Sequence, residues 1–239
     1  MSNPITAALN KCRRFAQSTI PQACLLCGAR VVGRMLCAGC EEDMPRLPRE
    51  RCPQCALPSH DGALCGHCLK HPPAFEQTVA VYAYAFPLDA LVKHCKYGGA
   101  LAVADWFADG LALELAQTRA DHPPPDLILP VPLHDTRLAE RGFNQAGEIV
   151  RRLAPVLDIP WLAQGCRRIR DTPPQAGLDL QARRRNLRGA FQCDLDLSGK
   201  HVALLDDVMT SGASLDELAR TIRKAGAAKV SAWVVARTL

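Results

Sequence analysis

The sequence predicts an α/β protein, a parallel β-sheet flanked by helices, with a small cysteine-rich module at its N-terminus. Three observations carry this. The run Val202-Ala203-Leu204-Leu205 is apolar without alternation, as a strand covered on both faces requires. Behind it, Asp206-Asp207 and a small hydroxyl-rich turn lead directly into a helix, whose stripe Leu215, Leu218, Ala219 and Ile222 falls at i, i+3, i+4 and i+7. Eight of the 12 cysteines stand in four C-x-x-C pairs between residues 24 and 68.

At 239 residues the chain is long enough for one ordinary domain and a small one. Its hydrophobic share of 48% and charged share of 22% are those of a globular protein. The net charge of +5 is too modest to mark a nucleic-acid binder, so the placement of the charge matters more than its sum. No apolar run approaches a membrane span, and residues 1–16 lack the apolar core of a signal peptide. The expectation is a cytoplasmic protein with no membrane insertion. Cysteines this frequent in that compartment point to metal rather than to disulfides.

In chain order, residues 1–20 carry Lys11, Arg13 and Arg14 among scattered apolar positions and read as a short helix or lead-in, with Cys12 an ordinary thiol. The pairs Cys24/Cys27, Cys37/Cys40, Cys52/Cys55 and Cys65/Cys68 follow, with nine residues between the first and second pairs and nine again between the third and fourth. Each pair can fold into a knuckle that presents two thiolates to one ion, and four thiolates in a tetrahedron make the usual structural zinc site. The expectation is one or two zinc ions in a double zinc ribbon. Sequential pairing is the simplest arrangement, and interleaved pairing stays open. A redox or iron–sulfur role is the weaker reading because no βαβ pattern surrounds any pair. His67, inside the last knuckle, reads as a bystander. So short a segment buries too little to fold without metal.

The predicted domains are 1–71, the lead-in and ribbon, and 72–239, the sheet domain, with the prolines at 72 and 73 in the linker. In the second domain a strand is expected over 78–86, a short helix with Lys93 and Lys96 over 88–96, and a longer helix over 101–117 with Trp106 on its buried side. A second buried strand is expected over 127–131 and a helix over 145–157 with Asn144 as its cap. Ser214 and Glu217 form the pattern of a capping box before the helix that Gly226 ends, and residues 229–237 close the sheet. Cys95, Cys166 and Cys193 read as isolated thiols.

A strand end, two acids, a hydroxyl-glycine turn and a helix N-terminus together make an anion site. Two carboxylates beside a phosphate make sense if they hold sugar hydroxyls or an accompanying divalent cation. The competing readings are a Walker B strand or a merely solvated acidic strand end, and the chain has no G-x-x-x-x-G-K-[ST] loop to accompany a Walker B strand. The stretch resembles the phosphoribosyl pyrophosphate (PRPP) signature of type I phosphoribosyltransferases. That resemblance implies that Asp206 and Asp207 contact the ribose, that Val208, Met209, Thr210, Ser211, Gly212, Ala213 and Ser214 form the phosphate segment, and that Mg2+ accompanies PRPP.

The run Pro130-Val131-Pro132-Leu133-His134, followed by Arg141-Gly142-Phe143-Asn144-Gln145, narrows the resemblance to the ComF family. Its members join a zinc ribbon to a phosphoribosyltransferase-like domain. Arg137 and Arg141 lie beyond a strand end, where a guanidinium suits pyrophosphate; Arg141 completes the candidate catalytic set with Asp206 and Asp207, and Arg137 joins the phosphate-binding residues. Around Thr172-Pro173-Pro174-Gln175, which also fits the ComF pattern, lie Arg167, Arg168, Arg170, Arg183, Arg184, Arg185 and Arg188. This cluster reads as a hood over the reacting groups, as a grip on nucleic-acid phosphates, or as a solvated basic face.

The resemblance implies a candidate phosphoribosyltransferase, carrying out pentosyl transfer to an acceptor the residues do not reveal, with a part in competence and the uptake or utilisation of external DNA. Single-stranded DNA and a DNA translocase or helicase are the implied partners, and a homodimer is a further expectation. The alternative is a non-catalytic nucleic-acid-binding adaptor that uses the basic patch and the ribbons.

Overall fold

The computed structural model describes residues 21–97, 101–118, 123–171 and 186–239. The chain forms two compact units, Met1–Met44 and Pro45–Leu239. The larger unit holds the second cysteine set together with the sheet.

In the first unit β1 (Pro21–Ala23) pairs antiparallel with β2 (Arg30–Val32). The chain turns between them through Gly28 at φ 75°, whose N–H donates to the Cys24 carbonyl at 2.9 Å. A short helix, α1 (Ala38–Glu42), springs from Cys37.

In the second unit α2 (Gly66–Lys70) closes the second cysteine set. The main elements are then β3 (Gln77–Ala83), α3 (Leu88–Tyr97), α4 (Leu101–Thr118), β4 (Leu127–Pro130), α5 (Asp135–Arg141), α6 (Gln145–Leu157), β5 (Cys166–Arg168), β6 (Phe191–Cys193), β7 (His201–Met209), α7 (Ala213–Lys224) and β8 (Lys229–Arg237). The strands β3, β8, β7 and β4 lie in that order in one sheet, and all its pairings are parallel. The expected parallel sheet between helices, behind a double cysteine ribbon, is the observed architecture. Among the described residues no helix is long and apolar enough to cross a membrane.

The apolar run in β7 is covered on both faces, as its lack of alternation requires: residues 202–205 are fully buried. On one side α7 packs on β7 and β8 through Leu215, Leu218, Ala219 and Ile222. The helices α4 and α6 pack on each other, α4 also on β3 and β8, and α6 also on β4 and β7. Residues 145–157 form a helix over the predicted span. Trp106 is half-buried and stacks on Tyr82 with ring centroids 5.3 Å apart, while Phe107 supplies the fully buried ring of α4.

Two expectations are corrected. The helix α7 starts at Ala213 with Gly212 as its cap and no side-chain cap bond, so Ser214 and Glu217 form no capping box. The positive φ of Gly212, 77°, turns the strand into the helix without one, and Glu217 instead accepts from the Gly189 N–H at 2.7 Å. Cys166 and Cys193 are not isolated either. They face each other across the antiparallel pair β5–β6, and burial together with the neighbouring Cys193 thiol pushes the Cys166 pKa well above its ordinary value.

Candidate functional site

The acidic pair owes its setting to unequal strand lengths. The edge strand β4 ends with Pro130 opposite Leu205, while β8 continues beside β7 as far as Arg237 opposite Met209. From Asp206 onward β7 therefore has a partner on one flank and an open flank on the other. The acids emerge at the carboxyl edge of the sheet, where ligands of open α/β sheets sit. Successive strand residues face opposite sides, so the two carboxylates flank the strand rather than share a face.

Asp207 is buried and pairs with Lys96, near the end of α3, at 2.8 Å. Asp206 is half-buried. Burial and the Asp207 charge push its carboxyl up to about 8, with Lys96 pulling the other way. Burial alone would draw Lys96 down, but Asp207 and then Asp206 more than offset it and hold the ammonium above its ordinary value. The result is a site poised around one cation and two unequal acids.

Beyond the acids, Val208 is half-buried, its N–H donating to Asp207 Oδ1 at 2.9 Å, and Met209 ends the strand buried. Thr210 is exposed, Ser211 Oγ accepts from the Ala213 N–H at 3.4 Å, and Ser214 lies in the first turn of α7. Asp206 and residues 208–215 line a small cavity of about 30 Å³ at the N-terminus of α7. Larger cavities, of about 410 and 450 Å³, lie elsewhere and touch none of the acid or turn residues. The chemistry favours the carboxyl edge, because among the described residues only there do acids, a cation and a hydroxyl turn converge.

The Arg-Gly-Phe-Asn-Gln run is the scaffold of the facing wall. Gly142, at φ 77°, ends α5. Asn144 caps α6 by accepting from the Ala146 N–H at 3.1 Å, and its amide donates to the Val131 carbonyl at 3.0 Å, fastening the helix to the end of β4. Gln145 is 2% exposed, and its Oε1 accepts from Arg141 at 3.0 Å, which aims that guanidinium. Replacing Asn144 by alanine removes both the cap and a half-buried bond. It is expected to cost about 1–3 kcal/mol in urea unfolding, and a loss below roughly 0.5 kcal/mol would count against this double role.

The expected hood separates into parts. Arg168 lies with its guanidinium 5.8 Å from the Phe191 ring centroid. Burial and the Arg137 charge draw its pKa below the ordinary value, while Asp206 and Asp171 act in the opposite direction. Arg167 points away and pairs with Asp194 at 2.9 Å on the exposed side of the hairpin. Arg170 donates to the Arg188 carbonyl at 2.8 Å. Arg183, Arg184, Arg185 and the Thr172–Gln175 segment lie outside the described residues. Lys96 and Arg237 are the contributors to which the sequence assigned no role. Lys96 sits 111 positions before its partner, and Arg237 binds backbone carbonyls, which carry no residue signature.

The cysteines gather as two separate sets of four, Cys24, Cys27, Cys37 and Cys40, and Cys52, Cys55, Cys65 and Cys68, with the ligand atoms of each set within 4.8 Å of one another. Sequential pairing holds, and His67 belongs to neither set. The Cys27–Cys37 and Cys55–Cys65 sulfurs lie 3.6 Å apart, near the ~3.8 Å between ligands of a tetrahedral zinc with ~2.3 Å bonds. Burial pushes the Cys24 thiol up, but the N–H groups of Cys27, Cys37 and Leu26 outweigh it and bring it down to about 6. At Cys40 the crowding by Cys27 and Cys37 drives the value far upward. Four sulfurs this close ionise together only around a cation, so both sets fit structural zinc.

A double zinc ribbon domain model matches residues 15–69. The DNA utilization protein YhgH of Escherichia coli O157:H7 is 35% identical over 226 residues, covering 92% of this chain and 99% of the relative. Competence protein F of Haemophilus influenzae is 33% identical, over 84% of this chain and 90% of its own. Competence protein ComFC of Bacillus subtilis is 25% identical, over 85% and 84%. Among solved structures, a purine phosphoribosyltransferase from Pyrococcus horikoshii covers 56% of this chain and 82% of its own at 19% identity and a TM-score of 0.33. Relatives 35% and 33% identical over most of both chains decide the assignment: the chain belongs to the ComF family.

Proposed function

We propose that the protein binds PRPP or a related ribose phosphate with Mg2+ at the carboxyl edge of its sheet, and that it acts in the uptake or utilisation of external DNA. The observation that carries the ligand reading is the convergence of Asp206, Asp207 and Lys96 with the hydroxyl turn of residues 210–214 and its small cavity. The turn and the α7 N-terminus would take the 5′-phosphate, and the two acids would take ribose hydroxyls or the metal. Arg137, Arg141 and Arg168 would neutralise pyrophosphate.

Pentosyl transfer at this site would break the bond from ribose C1 to pyrophosphate oxygen and form one from C1 to an incoming nucleophile, the electron pair leaving with pyrophosphate. Stabilising both developing charges is then the main catalytic task. The DNA role is supported by the names of the full-length relatives, which are DNA utilization and competence proteins. A non-catalytic adaptor is the second reading. It is favoured by the exposed Arg167, Arg170 and Arg188 around the β5–β6 hairpin, although Arg167 is already paired.

Titration calorimetry of the full chain with PRPP and Mg2+ separates the two. The expected result is micromolar to sub-millimolar binding that falls at least about tenfold when Asp206 and Asp207 are both replaced by asparagine, as loss of two charge-assisted contacts implies. No heat with the parent, alongside salt-sensitive binding of single-stranded DNA, would leave the adaptor reading standing alone.

A further inference from the structure

Arg237 ends β8, and its guanidinium reaches back beneath the phosphate turn. The residue is 5% exposed. Nε donates to the Cys55 carbonyl at 2.8 Å, and Nη1 donates to the Met209 carbonyl at 3.1 Å, to the Thr238 carbonyl at 2.7 Å and to the Thr210 carbonyl. Cys55 belongs to the second cysteine set, while Met209 and Thr210 join β7 to the turn. One side chain thus clamps a metal knuckle to the segment that shapes the candidate phosphate site.

A cation so deeply placed is tolerated only if its donors are satisfied and a counter-charge lies near. Zinc held by four thiolates carries net negative charge, and the second set, once loaded, would supply it. A second observation joins the same segments. A cavity of about 30 Å³ is lined by Cys55 and Cys68 on one side and by Met209, Ser211 and Gly212 on the other.

We infer that Arg237 is a positioning residue through which the shape of the 209–214 turn depends on the metal held by Cys52, Cys55, Cys65 and Cys68. Without the metal the knuckle loses its fixed geometry. Arg237 then loses the Cys55 acceptor, and the carbonyls of Met209 and Thr210 lose a firmly held donor. The effect on ligand affinity rests on the ribose-phosphate reading above, whereas the coupling itself rests on these hydrogen bonds.

Hydrogen–deuterium exchange on the full chain tests the coupling without any ligand. Stripping zinc with a chelator is expected to speed amide exchange over 209–214 by about tenfold, the loss of one to two hydrogen bonds' worth of protection, while residues 202–205 in the core of β7 stay protected. Arg237→Met should show the same loosening with zinc in place, and stripping should then add little, as two changes on one link are not additive. Arg237→Lys should fall between, keeping the charge but losing the fork. Should the methionine variant not fold, the lysine variant and the stripped parent carry the test.

An arginine with a merely structural role would loosen 202–205 along with the turn and leave the effect of stripping undiminished. That outcome, or a turn indifferent to zinc, would overturn the inference. By reciprocity, Mg2+ and ribose 5-phosphate should raise the zinc affinity of the second set, with the effect reduced in Arg237→Lys and lost in Arg237→Met. If the sugar phosphate does not bind while exchange still follows zinc, the ligand reading fails and the coupling survives.

Discussion

Replacing Cys52 and Cys68 together by serine is expected to lower the zinc carried per chain from about two to about one and to cost the Pro45–Leu239 unit at least about 3 kcal/mol of stability. Both residues are essentially inaccessible, at 0% and 2% exposure. Between residues 45 and 71, only Leu47 and Ala56 are buried besides cysteines of the second set. So little apolar burial cannot order the segment, and the metal has to provide most of what holds it.

The loss would travel further than the ribbon. The Pro53 carbonyl accepts from the Thr78 N–H at 2.8 Å, the Gln54 carbonyl from the Thr78 hydroxyl at 2.6 Å, and the Cys55 carbonyl from Arg237. A disordered knuckle therefore leaves unpaired polar groups at the start of β3 and a buried cation at the end of β8. Metal analysis and urea unfolding under reducing conditions measure the two effects. The double variant Cys27→Ser, Cys40→Ser should also retain about one zinc, now in the second set, and combining all four changes should leave none. Two zinc ions per chain in the Cys52, Cys68 variant would show that the cysteine sets do not work as separate tetrahedra.

What the sequence disclosed and what it withheld follow from where each signal is stored. The cysteine sets were legible because ligand spacing is local and repeats. The strand through residues 202–205 and the stripe of α7 were legible because periodicity reports burial directly. Asn144 was readable as a cap, but its bond to the Val131 carbonyl depends on how α6 lies against β4, which no local pattern records. The Ser214/Glu217 pattern failed for the reciprocal reason, since a tertiary donor, the Gly189 N–H, took the side chain that the local rule had assigned to the helix start. In the arginine-rich stretch the sequence showed density without direction. Only the antiparallel register sets Arg168 against the Phe191 ring and Arg167 beside Asp194. Lys96 became part of the site only because the parallel sheet carries the end of α3 to the end of β7, a consequence of topology alone.

The raised pKa of Asp206 gives the other large expected effect, one that sets stability against binding. Burial and Asp207 hold the carboxyl at about 8, against an ordinary value of 3.8. The native state therefore keeps a proton through a pH range in which the unfolded chain has lost it. The unfolded state binds fewer protons between pH 4 and pH 8, so this residue's contribution to stability is intact below about pH 4, falls as the pH rises, and is fully lost above about pH 8. Asp206→Asn removes the titration, and the variant should be more stable than the parent by about 2–4 kcal/mol at pH 8 and by less than about 1 kcal/mol at pH 4, after allowance for partial solvent access. Urea unfolding at the two pH values reads the difference directly, and a gap that does not widen with pH would refute the assignment.

The same carboxyl should behave differently once a divalent ion and a sugar phosphate arrive, because a cation beside it favours the charged form. Binding at pH 7 should release close to one proton per site, visible as a dependence of the calorimetric heat on the ionisation enthalpy of the buffer. Affinity should strengthen from pH 6 to pH 8 as that proton becomes easier to remove, and Asp206→Asn should lose both the proton release and its pH dependence. A site that is strained when empty and relieved when filled is one that selection for stability alone would have neutralised, and a parent whose binding heat ignores the buffer would remove that argument.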